Sequence, residues 1–152
     1  MNPKTARLRS YRSLLRMAKV RESQAVAELA KAVGEERERR DAHRHLQEQR
    51  DAVARAGHDG HVEGRKLDLA RLEMLSMLDA ALGERQQRAA DALAEAERVR
   101  GDRAQANWQA KRYRERVDEQ LKETRQELHA EHAAKAQEES IELWVEHREG
   151  AT

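Results

Sequence analysis

Gly57-His58-Asp59-Gly60-His61-Val62-Glu63-Gly64 places three glycines within eight residues, and nothing else in this chain interrupts helix so firmly. Glycine inside a helix costs about 1 kcal/mol relative to alanine, so a cluster of three predicts a turn. The flanking sequence is helix-forming on both sides. Upstream, the only proline is Pro3, at a position suited to the first turn of a helix entered from Asn2. From there to Ala56 only Gly34 intervenes, and from Lys66 to His147 only Gly83 and Gly101 do. A helix, a turn and a second helix is the minimal reading.

Composition says what kind of helices these are. Charged residues make up 39 % of the chain and aromatic residues 3 %, with no Phe. A globular core of this size needs bulky side chains that are missing here. Disorder would fit low hydropathy combined with high net charge, but Lys+Arg 30 nearly cancels Asp+Glu 29. Ala, Leu, Glu, Arg, Lys and Gln dominate, and they are the strongest helix formers. The expected fold is therefore all-α: a thin assembly whose core is a single seam.

That seam is visible as a 3-4 repeat. In the first arm it runs Leu8, Tyr11, Leu15, Ala18, Glu22, Ala25, Leu29, Ala32, Glu36, Arg39, His43, Leu46, Arg50, Val53. In the second it runs Ala89, Leu93, Ala96, Arg100, Arg103, Asn107, Ala110, Arg114, Val117, Leu121, Thr124, Leu128. A mean spacing near 3.5 residues, sustained over many turns, specifies a left-handed coiled coil. The predicted architecture is a long antiparallel two-helix hairpin with a glycine-bearing tip.

Register follows from the defects. The first seam turns polar at Glu36, Arg39 and His43, and the second at Arg100, Arg103 and Asn107. Setting defect against defect pairs residues whose numbers sum to about 143, places Leu15 opposite Leu128, and moves the reversal point to about residue 72. One unit over 1–152 is then expected, with arm one at about 4–56, a tip at 57–83 and arm two at about 84–148. In this register the basic start of the chain meets its acidic end (Glu138, Glu139, Glu142, Glu146).

Catalytic and metal chemistry find little support. There is no Cys, which removes disulfides and thiolate zinc sites and fits a reducing cytosolic setting. His58, Asp59 and His61 lie in a loop without an organised shell around them. His129 and His132 share a helix face, but a two-helix hairpin offers no converging carboxylates to complete an ion site. The glycines at 57, 60 and 64 follow no strand, so they do not make a phosphate loop. A single seam encloses no pocket, and the chain is expected to be neither an enzyme nor a cofactor carrier. No apolar run approaches the length of a membrane span.

Two features exceed a bland rod. Leu67 to Leu82 is the most apolar stretch, and Leu72, Leu75, Met77 and Leu78 form a candidate partner-binding tip, since exposed apolar area with Met often marks an adaptable interface. At the other end Lys4, Arg7, Arg9, Arg12, Arg16, Lys19 and Arg21 all precede the first acid, Glu22. Together with Tyr11, Glu138, Glu142 and Trp144, they suggest a charged rod end suited to a complementary hole. Near-neutral overall charge and the nearby acids argue against nucleic acid.

Three segments carry a resemblance: Leu14-Leu15-Arg16-Met17-Ala18-Lys19-Val20-Arg21-Glu22-Ser23-Gln24-Ala25, Leu72 to Gln87, and Gln137-Glu138-Glu139-Ser140-Ile141-Glu142-Leu143-Trp144-Val145-Glu146-His147-Arg148. Together with the hairpin and its open end, they resemble the central-stalk proteins of type III secretion. These are the flagellar FliJ-like export chaperones and the injectisome YscO-like family, and the ending is closer to the injectisome branch. Tip aromatics common in such proteins are absent here.

The resemblance implies a γ-subunit-like rod, cytoplasmic and peripheral to the inner-membrane secretion apparatus. Its terminal coiled coil would enter a hexameric secretion ATPase through Arg7, Arg9, Arg12, Arg16, Lys19, Glu138, Glu142 and Trp144. Its tip would reach the cytoplasmic domain of the export gate through Leu72, Leu75, Met77 and Leu78. Chaperones of secreted substrates are further implied partners, and the stalk itself would be a monomer or self-associate weakly. The rival expectation is a regulatory or scaffolding coiled-coil dimer held to a membrane surface by its basic first helix.

Overall fold

The computed structural model describes residues 2–62 and 68–151. Two helices account for nearly all of them: α1, Pro3–Val62, and α2, Leu69–Glu149. They pack against each other antiparallel as a helical hairpin, with no strand among the described residues.

Each helix begins where its side chains can satisfy free amides. Asn2 caps α1, its Oδ1 accepting from the Lys4 N–H at 3.0 Å, with Pro3 next in the first turn. Asp68 caps α2, its Oδ1 accepting from the N–H groups of Ala70 and Arg71 at 3.2 and 3.3 Å. An Asp followed directly by an apolar helical run is an N-terminus signal, and it sets the start of α2 at Leu69. The expected tip at 57–83 is corrected accordingly. Gly57 and the residues through Val62 continue α1, and 69–83 are the first turns of α2. Gly64 and the side chain of His61 lie outside the described residues. Upstream of Gly57, Arg50 is tied across to α2, donating from Nε to Asp79 at 2.9 Å and from Nη1 to Gln86 at 3.1 Å. Gln86 in turn donates to Gln47 at 2.9 Å.

The periodic seam is the packed surface. Every first-arm seam position except Arg39 is at least partly covered, and every second-arm position except Arg100 and Arg103. The seam extends beyond Ala89 toward the turn, through Leu72, Leu75, Asp79, Leu82 and Gln86.

The described residues form two packed units. One comprises residues 1–25 and 107–152, with Ala18, Val117, Leu121 and Thr124 as its buried centre. The Thr124 hydroxyl donates to the Gln120 carbonyl at 2.8 Å, which satisfies it inside the seam. Arg114 Nε meets Glu22 Oε2 at 2.5 Å, and Lys4 pairs with Glu131. The other unit comprises residues 26–106 and is centred on Ala32, Glu36 and Leu82.

Both units hold a register one heptad away from the expected one. The numbers in Glu22–Arg114 and in Glu36–Arg100 each add to 136 rather than about 143. Leu15 therefore lies level with Leu121, not with Leu128. A heptad-periodic pair is nearly degenerate under a shift of one heptad, because such a shift still sets seam against seam. Specific ionic contacts break the tie, and here they are Glu22–Arg114 and Glu36–Arg100. In consequence the acidic end does not cover the basic start. Lys4 already meets Glu131, and every residue from 132 to 151 is exposed.

Candidate functional site

At the open end, within the unit of residues 1–25 and 107–152, two charged surfaces follow one another along the axis without meeting. The first is the exposed surface along the start of α1. Arg7, Arg9, Arg12, Arg16 and Lys19 are all exposed, and no acid lies within ion-pair distance of any of them among the described residues. Between them runs an apolar stripe. Ala6, Arg9, Ser10, Ser13, Leu14 and Met17 line a shallow groove of about 620 Å³, and Met17 is 56 % exposed. This stripe is on the opposite side of α1 from the seam, since residues two apart in a helix point about 200° apart.

The second surface is the end of α2. Past Glu131, Ile141, Leu143, Trp144 and Val145 are exposed, Trp144 to 62 %. The Arg148 guanidinium stacks over the Trp144 ring, 5.2 Å from its centroid. Glu138, Glu142 and Glu146 are exposed acids without an ion-pair partner among the described residues. The sequence-expected terminal residues are thus all in one unit and all exposed. The cationic and acidic sets, however, are displaced along the axis rather than opposed.

Lys4 marks the boundary between covered and uncovered helix. Its ammonium group pairs with Glu131 and lies 3.7 Å from Glu127, and Asn2 Nδ2 reaches Glu131 at 3.5 Å. The hydrogen bond from Lys4 holds the Glu131 carboxyl below the usual glutamate range, and the same bond raises Lys4 above the usual lysine range.

The four tip residues divide. Leu72 and Leu75 are half-buried and belong to the seam, whereas Met77 and Leu78 are exposed, Met77 to 74 %. With Leu69 and Met74, also exposed, the latter two make an outward apolar strip on the first turns of α2. The seam read from Ala89 onward leaves all four together; the 3-4 spacing carried back through Leu82, Asp79, Leu75 and Leu72 separates the two sets.

Midway along the residue 26–106 unit sits an ionic layer that the polar defects anticipated. Glu36 is 5 % exposed. Arg40 Nη2 donates to its Oε1 at 2.7 Å, and Arg100 Nε lies 2.5 Å from its Oε2 without hydrogen-bond alignment. Arg40 also approaches Glu97 at 3.5 Å. A groove of about 360 Å³ beside this layer is lined by Val33, Arg37, Asp41 and Arg44 as well.

His129 and His132 are exposed, and no three His, Asp or Glu side chains converge on a possible ion site among the described residues. None of the described helices is long and apolar enough to cross a membrane. No family model, no curated protein and no solved structure matches this chain.

Proposed function

We propose that this chain is the central stalk of a type III secretion ATPase complex. Its open end inserts in the ATPase hexamer and its turn end contacts the cytoplasmic domain of the export gate, with secretion chaperones as further partners. It acts as a rigid element, without catalysis or cofactor, at the cytoplasmic side of the inner-membrane apparatus. The observation that carries the reading is the open end: five exposed, unpaired cations on α1, followed along the axis by an exposed acidic segment bearing Trp144. A surface divided into a cationic and an acidic part can be oriented in a partner by electrostatic complementarity. Two helices that run through both units give contact at one end a route to bias states at the other. The exposed strip of Leu69, Met74, Met77 and Leu78 supports an adaptable contact at the turn.

The test is ATP hydrolysis by a cognate hexameric secretion ATPase with and without the full chain. Stimulation that is abolished by Arg12→Glu with Arg16→Glu is the expected result. No stimulation and no co-elution would remove the stalk reading.

One observation favours a second reading, a regulatory coiled coil on a membrane surface. Leu14, Met17 and Val20 are exposed among the α1 cations, as in helices that lie in a lipid interface. Co-sedimentation with anionic but not neutral vesicles would support that reading over the first.

A further inference from the structure

The two uncovered surfaces at the open end complement each other. The outer stripe of α1 runs Ala6, Ser13, Met17, and the exposed end of α2 runs Ala134, Ile141, Val145; both follow a spacing of seven and then four. Matched heptad spacing on two helices is what parallel coiled-coil pairing requires. The charges complement each other too. Arg9 and Arg16 flank the first stripe, Glu138 and Glu142 flank the second, and none has an ion-pair partner among the described residues. The two surfaces cannot meet within one chain. Ser13 lies level with about residue 123, and Ile141 is some 27 Å further along at 1.5 Å per residue.

We infer that a second copy of this chain covers both surfaces, residues 132–149 of each α2 lying parallel along the outer face of the other copy's α1. A two-fold axis at the open end satisfies this geometry. The α2 end of each copy projects past its own α1 and runs over the other copy's first turns in the same chain direction. Each α1 start is then held between its own α2 and the other copy's, and both contacts form at once, as an isologous interface demands. Trp144 and Met17, both more than half exposed in the single chain, come to the same level. The acids of α2 run along the flank of α1 that carries Arg9 and Arg16, which fixes partner and direction. The inference is independent of the stalk reading. If both hold, the dimer occupies the surface that would enter the ATPase, so it is a form set aside from that complex.

The test is sedimentation equilibrium of the full chain across micromolar to millimolar concentration. A species of twice the 17.5 kDa chain mass is expected. Met17→Glu and Ile141→Glu are exposed substitutions that leave the seam intact, and each should weaken the dimer ~10-fold or more while helicity by circular dichroism is unchanged. Arg16→Glu should weaken it, and mixing with a Glu142→Lys chain should restore it. Because the chain has no Cys, single variants Ser13→Cys and Ile141→Cys can be mixed and oxidised, and a covalent heterodimer is expected. Three results would overturn the inference: a monomer throughout the range, a dimer indifferent to both face substitutions, or a monomer whose α1 face is instead taken up by anionic vesicles.

Discussion

Arg100 Nε lies 2.5 Å from Glu36 Oε2, at the one buried carboxylate among the described residues. Glu36 is also held by Arg40 from its own helix, so the layer couples an intrahelical contact to an interhelical one. Buried ionic layers in coiled coils often cost stability and define register. Here the layer identifies which of several heptad-related pairings is native.

Glu36→Leu therefore raises stability by about 1 kcal/mol or leaves it unchanged, because an apolar seam residue replaces a desolvated carboxylate. Arg100→Ala lowers it by about 1–2 kcal/mol, less than for a fully buried pair because Arg100 itself is half exposed. Urea denaturation monitored by circular dichroism checks both. Marked destabilisation by Glu36→Leu would mean that the layer holds the fold together rather than selecting its alignment.

Gly34 and Gly101 are in helix interiors with open space where a Cβ would go. Alanine at either site should stabilise by about 1 kcal/mol, through helix propensity alone. Gly83 differs, since a Cβ there would sit 3.2 Å from the Arg50 guanidinium. Its gain should be smaller, as Arg50 must shift while keeping Asp79. Thermal melts of the three single variants rank them.

The pH dependence has a definite sign. Glu131 is held below the usual glutamate range by Lys4, so this pair contributes stability above that range and loses it as the pH falls through the lowered value. Glu95, held down by Arg98, behaves likewise within α2. Lys4 is raised, so its contribution is complete below the usual lysine range and disappears only as the pH climbs through the higher value. The thermal midpoint should therefore be flat through neutrality and fall in acid. Glu131→Gln should flatten part of the acid limb while leaving the helical content at pH 7 intact.

Seam membership was legible in the sequence because it depends only on periodicity. Leu8 through Val53 read as a stripe and pack as one, with Arg39 alone swinging out. Alignment between the stripes was not legible to the same degree. Glu36 was matched to the Arg100 region correctly, but Leu15 was set a heptad too far because Leu121 and Leu128 are interchangeable to a periodic argument. The turn was misplaced for a related reason. Gly57 announces a break, yet α1 stays helical to Val62, and the true start signal of α2, Asp68, is a single capping residue. At the open end the charged residues were identified by type. Their lack of partners depends on register and could not be read from composition.

The central claim is the register that leaves α2 uncovered beyond Glu131, and a cysteine pair tests it directly. In a chain without native Cys, Leu8→Cys with Leu128→Cys should oxidise rapidly to an intrachain disulfide, because those positions lie between the Lys4–Glu131 and Glu22–Arg114 pairs and share their alignment. Leu15→Cys with Leu128→Cys should not, being two helical turns out of step. Efficient capture of the 15/128 pair, with none at 8/128, would contradict the account and return the acidic end of α2 to the basic face of α1.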